Sequence, residues 1–363
     1  MATVRATART GNEMAKKKKV EDDDDIIIAE IETELDAATE KALARAADTV
    51  CKECMQIQRK ENILIVTDPH TSTIGQALYE AAARISDRVL LVMMPTTHRH
   101  GDEPPAPVAD LMRKQDVVLA PTRYSLTHTR ARMQACREGT RIATMPGITM
   151  QMFIEGGMTT DFNAMQSAIA QLGKSLKRQR KVEVKTENGT SVKFEISGRW
   201  ELGDNGICNR PGQVTNLPAG KILAMPKEGT MDGKIVIDGA WDATVVDDPL
   251  TFKVEAGMVT KITGEGSDDV KAMFVEASRK LKPNQQANVW TVAEFGFGMN
   301  PRARLVGNVL EDEKVQGTCY FAFGDNTSLG GNSNCGVHVT GVIKNPTVRI
   351  GDIDLLDDGD IRI

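Results

Sequence analysis

Residues 62–95 read "NILIVTDPHTSTIGQALYEAAARISDRVLLVMMP", and this stretch decides the fold. Its first part, 62–68, is a continuous apolar run that ends at an acid, as in a strand buried on both faces. Residues 73–86 predict a helix, and 88–95 form a second apolar run. Strand, helix and strand in succession predict parallel strands joined by a right-handed crossover.

The same alternation continues along the chain. A helix begins at the prolines of "PPAPVADLMRKQ", a strand follows at 116–122, a helix at 128–139 ends at Gly139, and a strand follows at 141–147. Residues 25–180 are therefore predicted to form an α/β first domain with a parallel sheet.

The pattern changes after a helix predicted at 167–181. Residues 181–197 predict a hairpin with an Asn-Gly turn, and short alternating strands follow, interrupted by one helix at 267–281. Residues 181–363 are therefore predicted to form a β-rich, mixed α+β second domain of catalytic type. Residues 1–24, where "KKKK" precedes the acidic run "EDDDD", predict a disordered, solvated tail.

Composition excludes several classes of protein. The net charge is −5 with both signs mixed, and there is no basic stripe, so we expect no nucleic-acid partner. No apolar run approaches the roughly 20 residues that span a bilayer, so we expect no membrane partner. With six cysteines and no secretory signal, the sequence predicts a reduced, cytoplasmic protein. Cys51 and Cys54 form a C-x-x-C in helical surroundings, which predicts two ordinary helix cysteines.

Four of the five histidines lie near predicted strand ends. His98 and His100 form an H-x-H in a loop, a pattern that can bind a metal but is more often a solvent-exposed pair, which we expect here. His70 follows the first strand, at the edge where open parallel sheets bind ligands, and its Thr/Ser-rich turn offers N–H groups to an anion. No G-x-G-x-x-G occurs at this turn, so we expect no nucleotide cofactor. His128 lies among Ser and Thr hydroxyls at a helix start, and it is either a neutral acid/base or a structural histidine.

Three glycine-punctuated patches stand out in the second domain, at 199–229, 293–305 and 317–341. Such density of Gly, Asn and Asp predicts tight turns and close backbone approach, and such turns often line sites. The second patch, "AEFGFGMNPRARL", contains a single acid, Glu294.

These patches carry a family resemblance. "SLTHTRARMQACREGTRIATMPGIT", "TNLPAG", "AMPKEGTMDG", "AEFGFGMNP" and "DEKVQGTCYFAFGDN" together resemble the thermophilic-type metallo-aminopeptidases of the aminopeptidase T type, across both domains. The dihydroxypyridine ring-opening dioxygenases resemble the same family and bind one iron in an equivalent site. The resemblance implies a homodimer, a hydrolase-like enzyme on an aminopeptidase-family scaffold, and a small-molecule or peptide-like substrate.

Most of the family's metal ligands are replaced in this chain. The resemblance retains Glu294 and the first residue of the final H-x-D, His338, as metal ligands if a metal binds. The replaced positions are Lys221 for a Glu, Tyr320 for a His, Thr327 for a Tyr and Thr340 for an Asp.

These replacements favour a degenerate metal site. Lys221 would repel a divalent cation and could pair with Glu294. Two ligands are too few for zinc, which needs about three protein ligands and a water. We therefore expect no cofactor; the alternative is Zn, Mn, Co or Fe(II) held with substitute ligands. The candidate substitutes are His128, Cys335 and Asp325.

Three functions remain open. The first is metal-independent acid/base chemistry on a small amide, amino-acid-derived or heterocyclic substrate, in which burial lowers the pKa of a lysine. The second is a metal-dependent aminopeptidase with substitute ligands, and the third is a non-catalytic binding or scaffold protein. The predicted catalytic residues are Lys221, Glu294, Tyr320, His338 and His128.

Overall fold

A computed structural model describes residues 35–362. The predicted tail, 1–24, and the start of the helical segment that follows it lie outside the described residues. No helix within the described range has the length and apolar character that crossing a bilayer requires.

The first helix, α1 (Ala37–Thr49), continues into a π-helical turn, Val50–Cys54. Cys51 and Cys54 are buried there as free thiols. Burial raises the pKa of Cys51 to about 12 and raises that of Cys54 well above its ordinary value. Both cysteines are therefore unreactive parts of a helix, as the sequence predicts.

Five strands of the described chain form a parallel sheet, which confirms the α/β prediction. They are β1 (Ile63–Thr67), β2 (Val89–Met93), β3 (Val117–Thr122), β4 (Arg141–Pro146) and β7 (Val214–Asn216). Their order is β2-β1-β3-β4-β7. The chain adds β2 on one side of β1 and then adds β3 on the other side, so the strand order switches between β1 and β3. Both of these strands are buried along their whole length.

Helices cover the two faces of this sheet. The helices after α1 are α2 (Ser72–Ala83), α3 (Ala106–Met112), α4 (Arg130–Arg137), α5 (Met150–Ile154) and α6 (Phe162–Leu176). There is a hydrophobic core on each face of the sheet. Successive side chains of β1 point to opposite faces, so they alternate between these two cores. Ile63 and Ile65 pack in the core that contains α1 and α2, whereas Leu64 and Val66 pack with α3 and α4.

Helix α6 begins five positions before the predicted start at 167. The carboxylate of Asp161 accepts the backbone N–H of Ala164 at 2.9 Å and caps the first turn. An N-cap of this kind stabilises the helix start by about 1 kcal/mol.

The second half of the chain is β-rich, as predicted, and its sheet is large and antiparallel. Its hairpin β5 (Lys181–Lys185) and β6 (Ser191–Glu201) turns at Asn188-Gly189. The strands that follow are β8 (Lys221–Pro226), β9 (Asp232–Ile237), β10 (Ala240–Trp241), β11 (Thr244–Val245), β12 (Leu250–Glu255), β13 (Met258–Thr263), β14 (Val292–Gly298), β15 (Cys319–Gly324), β16 (His338–Ile343), β17 (Thr347–Ile350), β18 (Ile353–Asp357) and β19 (Asp360–Ile361). Helices α7 (Ser267–Arg279) and α8 (Val309–Asp312) interrupt them.

Strand β7 belongs to the parallel sheet, but it lies between strands of the antiparallel sheet in the sequence. It pairs with β4 of the parallel sheet although it follows β5 and β6 of the antiparallel one. After four connecting residues, the last of which is Gly220 at φ +122°, β8 begins in the second sheet. A Cβ at Gly220 would lie 2.8 Å from the Cβ of Asn300, so this close passage requires glycine. The passage fixes the position of Lys221.

Candidate active site

Four neighbouring strands, in the order β16-β15-β14-β8, carry most of the residues that the sequence predicted. Lys221 begins β8 and Glu294 lies in β14. Tyr320 lies in β15 and His338 begins β16. Residues far apart in sequence therefore come together on adjacent strands.

Lys221 lies in a buried cluster of ions, with 14% of its side chain exposed. Its Nζ is 2.5 Å from Oε2 of Glu313 and 3.5 Å from Oε1 of Glu294, so the predicted pairing with Glu294 is confirmed. Burial alone would lower the pKa of Lys221, but the negative charges around it, that of Glu313 first, raise the pKa above its ordinary value. The predicted lowering of the lysine pKa is therefore wrong, and Lys221 is a fixed cation instead of a base.

Glu313 and Lys314, which the sequence analysis missed, complete this cluster. Glu313 accepts hydrogen bonds from the Thr340 hydroxyl at 2.8 Å and from Nζ of Lys314 at 3.2 Å. Burial alone would raise the pKa of Glu313, but the positive charges of Lys221 and Lys314 hold it well below its ordinary value. Nζ of Lys314 also lies 4.0 Å from the carboxylate of Asp204, whose pKa burial raises.

The Tyr320 hydroxyl donates a 2.5 Å hydrogen bond to Oε1 of Glu294. Burial, together with the charges of Glu294 and Glu313, raises the pKa of Tyr320 well above its ordinary value. Tyr320 is therefore a hydrogen-bond donor and is not a base. Gly296 of β14 pairs opposite Tyr320, and a Cβ there would lie 2.4 Å from the tyrosine ring and hydroxyl. The glycine of "AEFGFG" makes room for this ring.

Gly296→Ala is expected to destabilise the protein by about 1–3 kcal/mol, because the added methyl group overpacks a buried ring. Gly203→Ala is the control, since a Cβ at Gly203 meets nothing within 4 Å. Denaturant unfolding of both variants gives the comparison. Equal stabilities would contradict the assigned role of Gly296.

His338 lies at the exposed side of the cluster, with 38% of its side chain accessible. Its Nδ1 is 2.9 Å from the carbonyl oxygen of Asp325. Because a carbonyl only accepts, Nδ1 carries a proton, and Nε2 faces Oε2 of Glu294 at 3.7 Å. This distance is too long for a direct hydrogen bond. A group that bonds to both atoms can lie between them.

His128 lies in the loop between β3 and α4 and is partly exposed. Its imidazole is close enough to His338, Lys221 and Glu294 to interact electrostatically with them. Partial burial of the ring and the charge of Arg132 lower the pKa of His128. The N-cap of α4 is the neighbouring threonine, whose hydroxyl accepts the Arg132 N–H, so His128 is not the capping residue.

The remaining histidines lie elsewhere. His98 and His100 are exposed, as predicted. Nδ1 of His100 accepts the backbone N–H of Ser125 at 3.1 Å, and its ring meets that of Tyr124 edge-on.

The donors around Lys221 do not fit the metal sites that the resemblance implies. No group of three or more His, Cys, Asp or Glu side chains in residues 35–362 is arranged to hold a metal ion. Glu294 and Glu313 share the ammonium of Lys221, a cation supplied by the chain itself. Of the candidate substitutes, Asp325 is already engaged, because its carboxylate accepts the backbone N–H of Cys335 at 2.8 Å and holds its own loop.

Two further buried acids shape the loop before Glu313. Oε1 of Glu311 accepts the N–H of Gly157 at 2.8 Å, and Oδ1 of Asp312 accepts the N–H of Val306 at 2.7 Å. One oxygen of each carboxylate is buried without a partner among the described residues. Burial, reinforced by the neighbouring acids, raises the pKa of Asp312 to about 6.

Asp312→Asn is expected to stabilise the protein by about 1–3 kcal/mol at pH 8 and to have little effect at pH 4. The pKa of Asp312 in the folded protein, about 6, lies above its ordinary 3.8, so its contribution to stability is present below pH 4 and is lost as pH rises through 6. Urea unfolding at both pH values measures the difference, with exposed Asp247→Asn as control. A stabilisation that did not change with pH would contradict this account.

Comparisons with known proteins place the chain. The model of the NicX family, described as 2,5-dihydroxypyridine 5,6-dioxygenase, matches residues 42–363. The 2,5-dihydroxypyridine 5,6-dioxygenase of Pseudomonas putida KT2440 is 22% identical over 200 residues, 51% of this chain. The matched part spans 55% of the length of that relative.

Two solved structures share the fold. The 2,5-dihydroxypyridine dioxygenase of Pseudomonas putida KT2440 aligns with a TM-score of 0.74 at 18% identity, over 89% of this chain and 97% of that one. Wild-type AmpT from Thermus thermophilus aligns with a TM-score of 0.66 at 15% identity, over 89% of this chain and 100% of that one.

The scaffold resemblance to aminopeptidase T is thus confirmed as a shared fold. The matching family is described as a dioxygenase, so it supports an enzyme and gives no specific support to a hydrolase. Because the family model covers most of the sequence, this chain belongs to the NicX 2,5-dihydroxypyridine 5,6-dioxygenase family.

Proposed function

We propose that this chain is an enzyme that acts without a bound metal and uses Glu294 and His338 to take a proton from a small hydroxylated nitrogen heterocycle or a related cyclic amide. The observation that carries the proposal is the ammonium of Lys221, which bridges Glu294 and Glu313. It supplies a positive charge where the family resemblance implies a metal ion.

Lys221 acts as a positioning residue. Its raised pKa keeps it charged through the neutral range. A fixed charge in a water-poor site stabilises negative charge that develops nearby, without reorganising during the reaction. Lys221 and the Tyr320 hydroxyl both meet Oε1 of Glu294 and leave Oε2 for the substrate.

Glu294 and His338 form the proton-accepting pair. Oε2 of Glu294 and Nε2 of His338 are 3.7 Å apart, so an acidic O–H or N–H can approach both. His338 is the more exposed of the two and can pass the proton to solvent. His128, which interacts electrostatically with both, is a further acid/base with a lowered pKa.

The substrate class comes from the relatives. The family and its Pseudomonas putida member are named for 2,5-dihydroxypyridine, a ring with acidic hydroxyl groups. Removing such a proton makes the ring electron-rich and prepares it to react with O2, the co-substrate that the family's description as a dioxygenase implies, so that both oxygen atoms enter the product as one ring bond breaks. The donors that remain in this chain suit that proton transfer.

The test is turnover by protein of known metal content. Protein purified without a chelating tag and treated with EDTA is analysed for metals, then incubated with 2,5-dihydroxypyridine and a panel of hydroxypyridines and cyclic amides. Loss of ring absorbance and product mass report the reaction. We expect turnover with metal far below one equivalent per chain. Activity that appears only after adding Fe(II), Zn, Mn or Co would establish the metal-dependent alternative, and stabilisation by these compounds without turnover would establish a binding protein.

A further inference from the structure

A cavity lies at the carboxyl ends of the parallel strands, where β2 and β3 lie on opposite sides of β1. Its volume is about 300 Å³, and its lining includes residues that follow β1, β3 and β4. None of the buried ions around Lys221 lines it. Crevices at such switch points in the strand order are where open parallel sheets bind ligands.

The polar end of this cavity is cationic. Arg123, which follows β3, lies beside His70, which follows β1, with Nη1 of the arginine 3.0 Å from Nε2 of the histidine. No carboxylate within the described residues lies in ion-pair distance of the Arg123 guanidinium, and the lining contains no acid. The guanidinium is therefore available to an anion that enters the cavity.

Asp68 holds the backbone at Arg123 and His70 in place, and its carboxylate does not pair with the Arg123 guanidinium. The carboxylate is buried and accepts the backbone N–H of Arg123 at 2.6 Å and that of His70 at 3.0 Å. It also accepts the Thr71 hydroxyl at 3.3 Å. Asp68 thereby fixes the ends of β1 and β3 relative to each other and pre-organises the pair of cationic and imidazole groups above them.

The other end of the cavity is apolar. Ile74, Ile148 and Met150 line it, and Thr73 and Thr149 add hydroxyl groups between the two ends. A volume of about 300 Å³ lies at the lower end of ligand pockets and suits a single substituted ring or a short chain.

We propose that this cavity binds a small organic anion, with its carboxylate or phosphate on the Arg123 guanidinium, which His70 holds in place by accepting one N–H, and with its apolar part against Ile74, Ile148 and Met150. The site is independent of the proposed chemistry at Glu294. A guanidinium binds a carboxylate or a phosphate through the same paired, charge-assisted hydrogen bonds. Carboxylates and phosphates are therefore both candidate ligands.

Calorimetric titration of the full chain tests the proposal with three probes: inorganic phosphate, benzoate and phenyl phosphate. We expect benzoate or phenyl phosphate to bind more tightly than inorganic phosphate, and the tighter of the two identifies the anion class. Arg123→Met is expected to weaken that binding by about tenfold or more. Arg88→Met, an exposed arginine just before β2 at the opposite edge of the sheet, is the matched control and should bind normally.

Thr73→Phe provides a second test that does not depend on charge. Thr73 is exposed at the start of α2, so the larger ring can fill the cavity without disturbing the core. Loss of binding in both Arg123→Met and Thr73→Phe, with unchanged melting temperatures, would support the site. Absence of binding by all three probes, or equal affinity of Arg123→Met and Arg88→Met, would overturn it.

Discussion

Lys221→Met is expected to destabilise the protein by about 3–5 kcal/mol at neutral pH, because it leaves buried carboxylates without their main partner. In the native protein Nζ of Lys221 lies 2.5 Å from Glu313 and 3.5 Å from Glu294. Methionine has a similar length and fills the space, so the loss comes from the charge. Chemical unfolding at pH 7 measures the effect.

The effect of this substitution should depend on pH. The charges of Lys221 and Lys314 hold the pKa of Glu313 below its ordinary 4.5, so the stability that this carboxylate contributes is present above pH 4.5 and lost as pH falls. Lys221→Met removes much of that contribution, and its cost should therefore shrink from pH 7 towards pH 4. Lys227→Met is the control, because Lys227 pairs with Glu195 at 3.3 Å on the exposed surface. A cost that stays constant with pH would show that packing, and not charge, is responsible.

The same variant should gain a response to divalent cations. Without the ammonium, Glu294 and Glu313 lose the cation that they share in the native protein, and a divalent cation can supply the missing positive charge. We expect Zn²⁺ or Mn²⁺ to raise the melting temperature of Lys221→Met and to leave that of the native protein unchanged. Equal responses of the two proteins would contradict the idea that Lys221 stands in for a metal ion.

Glu294→Gln is expected to lower kcat by about 10²–10⁴-fold, the usual range for loss of a general base. The amide keeps the shape of the side chain and can still accept the Tyr320 hydroxyl, which lies at 2.5 Å in the native protein. Steady-state kinetics with the best substrate of the heterocycle panel measure the effect. KM should change little, because the loss is in the proton-transfer step.

Glu195→Gln is the matched control for Glu294→Gln. Glu195 is a partly exposed strand residue with a lysine partner, so its replacement should leave kcat unchanged. Native turnover by Glu294→Gln would remove Glu294 from the mechanism. Equal losses in both variants would point to a general effect on the fold.

The parallel sheet was predictable because each of its inner strands shows a short apolar run in the sequence itself. Strands such as Ile63–Thr67 are buried on both faces, and this burial requires the unbroken apolar run that the sequence shows. The helix at Phe162–Leu176 was predicted with its start displaced, because its first turn depends on one cap, Asp161, and not on apolar periodicity. Element boundaries set by single hydrogen bonds are harder to predict than the elements.

The candidate site was only partly predictable. The pairing of Lys221 with Glu294 followed from the family resemblance, which places both at one site. The direction of the lysine pKa did not follow, because it depends on Glu313, 92 positions further along the chain. Residues 311–314, "EDEK", were the available signal. A run of charges usually predicts a solvated face, yet here all four side chains are buried.

The position of Val214–Asn216 makes the first sheet depend on a later part of the chain. This strand closes one side of the parallel sheet although the chain has already built part of the antiparallel sheet. A shorter chain that ended at residue 180 would expose the unpaired edge of Arg141–Pro146, and exposed edges recruit other chains and aggregate. We therefore expect the two sheets to fold as one unit, since the first cannot close its edge without a strand from the second half of the chain.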